Sequence, residues 1–198
     1  MFDALPPGSN TPLTSDGELS RFARLCGLET FGEAVEYVQR LPYGRTSKPD
    51  FRIVLTEGRG TCSSKHALLA ALARENGLVI ELVLGVYEMT EENTPGVGNE
   101  LAQNGLSAIP EAHCFLRTDR GVIDVTMPEG SRNSDKRHFL HEEVVTPEDV
   151  GIYKAIVHRR VLADWLNSVD RKGLGLDVAW QIREACIAAL SREVAKPD

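Results

Sequence analysis

The stretch Gly58-Arg59-Gly60-Thr61-Cys62, running through Ser63-Ser64-Lys65-His66 into an Ala/Leu-rich segment that stops at Gly77-Leu78, constrains the fold more than any other. Ala67, Leu68, Ala71 and Leu72 recur at helical spacing and Gly77 ends the pattern, so the segment predicts a buried central helix. The apolar run from Val79 to Met89 that follows predicts a mostly buried strand. Two glycines thus bring a thiol to the first turn of an apolar helix. A sulfur there meets backbone N–H groups and the positive end of the helix dipole, both of which favour thiolate over thiol. Taken alone, Cys62 has two readings, a nucleophile or a small apolar residue of a buried helix.

The remaining elements are read from periodicity and punctuation. A short helix is expected at Glu18–Leu25, capped by Asp16 or Ser15, with Leu19, Phe22 and Leu25 inward and Gly27 after its end. A second runs from about Thr30 to Leu41 with Phe31, Ala34, Val35, Val38 and Leu41 on one stripe, and Pro42 terminates it. The connection Pro42–Asp50 reads as a surface loop, or as a loop beside the thiol. Phe51–Thr56 reads as a strand, from the propensity of Phe51, Ile53 and Val54, or as a short helix, to which it leans because Ser47-x-x-Asp50 resembles a capping box. Thr90–Pro110 shows no apolar periodicity, and a loop of that length points to a lid. His113–Thr118 and Val122–Thr126 flank Asp119-Arg120-Gly121 as a hairpin, which sets His113 and Asp124 as candidate lateral neighbours. Met127–Asp135 is a polar loop. Helices are expected at Pro147–Asn167 and Leu176–Val194, the latter capped by Asp177, with Arg171–Gly175 between them. The domain reading is an irregular arm over 1–17, a core over 18–146 and a helical extension over 147–198.

A net charge of −7 over 198 residues, with the basic side chains scattered, gives no footprint for nucleic acid. Cys26, Cys62, Cys114 and Cys186 form no CxxC pair, so neither a zinc knuckle nor a redox motif is indicated. Met1–Gly17 has no apolar core of the signal-peptide kind and no segment reaches membrane-span length. The expectation is a cytoplasmic protein with reduced thiols, no cofactor and no membrane partner.

Cys62, His113 and Asp124 follow one another as the three parts of a cysteine acyl-transfer site: nucleophile, base and orienting carboxylate. Asp124 lies between Ile123 and Val125, an unusual setting for a carboxylate without a task. Gly60-x-Cys62 opening an Ala/Leu-rich helix, Arg74-x-x-Gly77-Leu78 before a strand, a histidine heading a strand, and Asp124-Val125-Thr126 after a glycine turn together resemble the transglutaminase-like superfamily. The resemblance covers roughly residues 50 to 128. Phe115 stands where the family often has Trp, and Val125 where it has Pro.

The resemblance implies an α+β, papain-like core in which the Cys62 helix packs on an antiparallel sheet carrying His113 and Asp124. It implies a thioester intermediate formed from a peptide, a protein side-chain amide or a small acyl or amide substrate. Water is the default acceptor; transfer to an amine, under cover of the 90–110 loop, is the alternative, and a non-catalytic scaffold is a third reading. The backbone N–H of Cys62 is the first oxyanion donor expected, and Tyr43, Arg45, Thr61 and His66 are the oxyanion or pocket candidates. A Cys62–His66–His113 metal site is a lesser alternative to His66 as pocket wall or satisfied core group. His138 and His141 read as a solvated face, and Cys26, Cys114 and Cys186 as apolar filler.

Overall fold

A computed structural model describes residues 2–127, 137–168 and 173–194. They form an α+β fold of seven α-helices and a four-stranded antiparallel sheet. The helices are α1 (Glu18–Leu25), α2 (Phe31–Arg40), α3 (Val54–Glu57), α4 (Cys62–Glu75), α5 (Gly98–Gln103), α6 (Ile152–Ser168) and α7 (Leu176–Val194). The strands are β1 (Glu81–Met89), β2 (Ile109–Thr118), β3 (Gly121–Ile123) and β4 (Phe139–Val145), in the order β3-β2-β1-β4. The chain divides into two units, one of Met1–Leu84, Cys114–Ser131 and Glu143–Gly151, the other of Gly85–His113, Arg132–Glu142 and Ile152–Asp198. Of the expected loops, Met127–Asp135 lies outside the described residues from 128 on, and Arg171–Gly175 over 171–172.

In the first unit α4 is the buried helix the sequence predicts, covered from Lys65 to Ala73 and packed against α1, α2, α3 and the 3-10 turns Phe51–Ile53 and Pro147–Val150. α2 carries its whole predicted stripe inward behind a Thr30–Glu33 capping box. α1 is bounded as expected but capped differently. Glu75, at the far end of α4, accepts from the backbone N–H groups of Leu19 (3.2 Å) and Ser20 (2.8 Å) and from the Ser20 hydroxyl (2.6 Å). Gly17 admits that carboxylate, since a Cβ there would sit 2.2 Å from the Glu75 side chain. Leu25 points to solvent, 84% exposed, because Ala23 and Leu28 take the inward positions. Cys26 is exposed rather than filler, and Val79 precedes β1 at the surface. The arm before α1 packs: Leu13 N–H donates to Glu29 O (2.8 Å) and Gly32 N–H to Ser9 O (2.8 Å). Phe51–Thr56 is helical, with Asp50 accepting from Arg52 N–H (3.0 Å) as its cap, while Ser47 binds Glu57 instead.

The second unit corrects the lid expectation. Val97, Leu101 and Leu106 are buried in one core with Tyr87, Met89, Ile109, Leu162, Trp165, Ile182 and Cys186, and α5 forms inside the segment expected to be loop. Glu91 folds the approach to α5 by accepting from Gly96 N–H (3.0 Å) and Gly98 N–H (2.6 Å), which a periodicity argument does not register. β4 was not expected: its half-buried row is Phe139, His141, Glu143 and Val145, so its alternation is not apolar against polar and the histidine is not on a solvated face. The helix expected from Pro147 is two elements, because Gly151 (φ −90°, ψ −106°) leaves the helical region before α6. α7 has the predicted bounds, but Asp177 pairs with Arg159 (2.5 Å) rather than capping.

Candidate active site

The first turn of α4 is built by the two glycines. Gly58 closes α3 with φ +61°, a conformation cheap only for glycine. Gly60 lets the backbone approach Lys65, since a Cβ there would lie 2.8 Å from Lys65 Cγ. Pro42-Tyr43-Gly44 runs alongside: Gly44 N–H donates to Gly60 O (3.2 Å) and Gly60 N–H to Pro42 O (3.3 Å). The Tyr43 loop therefore borders the thiol-bearing segment, with Tyr43 half-buried and Arg45 exposed. Thr61 is the N-cap of α4. Its hydroxyl accepts from Ser64 N–H (3.5 Å) and Ser64 Oγ accepts from Thr61 N–H (2.9 Å).

Cys62 follows, buried at the first helical position. Ser63 Oγ lies 3.8 Å from Cys62 Sγ and 3.8 Å from Cys114 Sγ, which places the buried Cys114 thiol against the start of α4. One turn on come the two residues that organise the region. Lys65 is completely buried, and its ammonium donates to Leu41 O (2.6 Å), Val125 O (3.2 Å) and Thr126 O (3.1 Å), three acceptors for three N–H bonds. Burial pulls this amine from its ordinary 10.5 to about 8, against the opposing attraction of the Asp124 and Cys62 negative charges.

His66 is also completely buried, and both ring nitrogens are engaged: Nδ1 with Cys62 O (2.7 Å) and Nε2 with Val125 N–H (2.9 Å). A carbonyl only accepts and an amide N–H only donates, so Nδ1 carries the proton and Nε2 the lone pair. Asp124 Oδ1 lies 3.7 Å from that Nε2, two acceptors facing each other, so this contact is not an ion pair. With its lone pair committed to Val125, His66 is a core group and not a metal ligand. Among the described residues no cluster of three or more His, Cys, Asp or Glu side chains is arranged to hold a metal ion.

These bonds explain why the hairpin is shorter than predicted. The β2–β3 register runs Leu116↔Ile123, Arg117↔Val122, Thr118↔Gly121 and stops. Asp124 takes Thr126 N–H (3.0 Å) on its own Oδ1, His66 takes Val125 N–H, and Lys65 takes both carbonyls. The α4 side chains and Asp124 claim the groups a longer ladder would have used, and Asp124 leaves the strand.

His113 belongs to the second unit, near the middle of β2 and buried. Arg137 donates from Nη1 to His113 Nε2 (2.9 Å), which fixes Nε2 as the acceptor, and the same guanidinium lies over the Tyr87 ring at 5.3 Å. The strand is anchored just before His113. Arg183 forks onto both Glu111 oxygens, and Pro110 O accepts from His158 Nε2 (2.8 Å).

No family model, curated protein or solved structure matches this chain. Its chemistry is therefore read from its own residues. The structure brings Cys62, His66 and the Asp124 segment together in the first unit and sets the Tyr43 loop beside Gly60. Lys65 is the residue that motif reasoning passes over. Its signal was a lysine three, four and seven residues before Leu68, Leu69 and Leu72, a charge on the apolar stripe of a buried helix.

Proposed function

We propose that this chain is a cysteine-dependent enzyme of the transglutaminase-like kind, with a papain-like arrangement of helix and sheet, that forms a thioester from an amide or related acyl substrate and releases it to water. Cys62 is the nucleophile, His113 the base and Asp124 the orienting carboxylate. In this chemistry the imidazole takes the thiol proton, the thiolate attacks the carbonyl carbon, and backbone N–H groups at the helix start receive the developing oxyanion. The leaving amine departs with that proton, and water then cleaves the thioester.

The observation that carries the reading is the first turn of α4, where a buried thiol sits at the first helical position and Lys65 and His66 fasten the Asp124 segment beside it. A structural cysteine asks for no such arrangement. The His113 assignment comes from the sequence resemblance. For Nε2 to accept a proton, Arg137 has to yield the bond it donates there. Hydrolysis is preferred over transfer because the 90–110 segment, the cover that transfer would use, is tied into the core of the second unit by Val97, Leu101, Leu106 and Ile109.

The test is alkylation by iodoacetamide from pH 6 to 9, read at each cysteine by peptide mass spectrometry, beside assays of acyl and amide substrates with and without a primary amine. Cys62 is expected to react faster at pH 6 than the exposed Cys26, and Cys62→Ala, His113→Ala and Asp124→Ala to lose turnover. Acid release supports hydrolysis; amine incorporation would replace it with transfer. Cys62 labelling no faster than the buried Cys114 and Cys186, with turnover intact in Cys62→Ala, would overturn the assignment.

A further inference from the structure

The geometry points to Lys65 as the positioning residue of the Cys62 site, a buried cation that holds the Asp124 segment and the Tyr43 loop to the helix start and favours negative charge on the Cys62 sulfur. This deepens the proposed function and rests on Cys62 as its nucleophile. Lys65 lies one helical turn after Cys62, and its three bonds reach two separate stretches of chain. Leu41 O begins the loop that carries Tyr43, while Val125 O and Thr126 O directly follow Asp124.

A buried ammonium is expensive to keep. Three backbone carbonyls match the three donors of an ammonium but carry no net charge, so they do not neutralise it. What a cation adds is a field, and the anionic groups whose charge reaches it are Asp124 and Cys62. The attraction is reciprocal: a negative Cys62 favours the charged lysine, so the charged lysine favours the thiolate, in the same direction as the helix dipole. His66, next on the helix, presents a neutral ring to Cys62 O and Val125 N–H. Of the other charged groups on α4 and the elements packed against it, Glu75 serves the α1 cap and Arg74 pairs with Glu148 (2.9 Å), both more than two turns from Lys65. With all three N–H bonds in use, Lys65 is not a proton shuttle.

The experiment measures the pH profile of Cys62 alkylation in the full chain for wild type, Lys65→Gln, Lys65→Met and Lys65→Arg, with folding of each checked by circular dichroism. A lysine that only packs or caps carbonyls would leave the inflection in place in any variant that folds. The expectation is an inflection about one pH unit higher in the folded neutral variants, which slows labelling near pH 6 about tenfold, and a wild-type profile in Lys65→Arg. A folded neutral variant with an unmoved inflection overturns the positioning role while leaving Cys62 as nucleophile. A wild-type chain in which Cys62 shows no enhanced low-pH reactivity sinks the enzyme reading itself. Should neither neutral variant fold, Lys65→Ala with and without added ethylammonium decides: an inflection that falls back toward the wild-type position when the cation is restored supports the role, and one indifferent to it overturns the role.

Discussion

Lys65 Nζ donates to the carbonyl of Thr126 at 3.1 Å across 61 positions of sequence, tying the start of α4 to the residue two beyond Asp124. The amine is held at about 8 where its ordinary value is 10.5. Below pH 8 it is charged in both folded and unfolded chains, and folding bears the full penalty of burying it. Between pH 8 and 10.5 the unfolded chain keeps a proton the folded chain has released, so stability rises with pH through that window. The difference corresponds to an upper bound of about 3 kcal/mol. Urea unfolding at pH 7.5 and pH 10 is expected to show the rise in wild type and to lack it in Lys65→Met.

His66→Ala leaves the Val125 N–H without its buried partner and removes the ring's bond to the Cys62 carbonyl, which keeps its helical one. Together with the cavity, this is expected to lower stability by about 2–4 kcal/mol in urea unfolding. A loss under 0.5 kcal/mol would mean that water serves the Val125 N–H as well as the imidazole does.

Thr126 Oγ1 is buried with no hydrogen-bond partner among the described residues, while the Thr126 carbonyl and N–H are both in use. Thr126→Val keeps the shape and removes the unsatisfied hydroxyl. Thermal unfolding is expected to show no loss and a gain of up to about 1 kcal/mol.

Glu111 is buried, and burial pushes its carboxyl up, but Arg183 overrides that and holds it below its ordinary value of 4.5. Its stabilisation is present above pH 4.5 and is lost as pH falls through the lower folded value. Glu111→Gln is expected to flatten the acid limb of a stability profile between pH 5 and 3. Arg183→Met leaves the carboxylate buried and unpaired, and a loss of about 3–5 kcal/mol at pH 7 is expected from chemical unfolding.

Helices whose stripes bury one face were legible in the sequence. α2, α4 and α7 lie within a residue or two of their predicted bounds because local periodicity and the deciding packing agree there. Part of what escaped was decided by partners distant in sequence. Glu75 replaces a local cap on α1, and Lys65 with His66 ends β3 early; α5 was missed at shorter range, where Glu91 binds amides five and seven residues on. β4 escaped for another reason, since its half-buried row contains His141 and Glu143. At the candidate site the type and order of Cys62, His113 and Asp124 could be read from the chain. The lysine fastening Asp124 could not, because its acceptors are backbone carbonyls, which leave no mark in the sequence of side chains.

The same separation sets an order of events during synthesis. When α4 leaves the ribosome, Leu41 O has already been made, but the Val125 and Thr126 carbonyls, 60 and 61 residues downstream, have not. Until β1, α5 and the hairpin have followed, the Lys65 ammonium has only Leu41 O of its three carbonyls to bind, and its other two N–H bonds go to water. Elongation at roughly 5–20 residues per second makes that interval several seconds. The nascent chain therefore carries an incomplete first turn through that time, and it acquires the Cys62 site only when the residues after Asp124 arrive to close it.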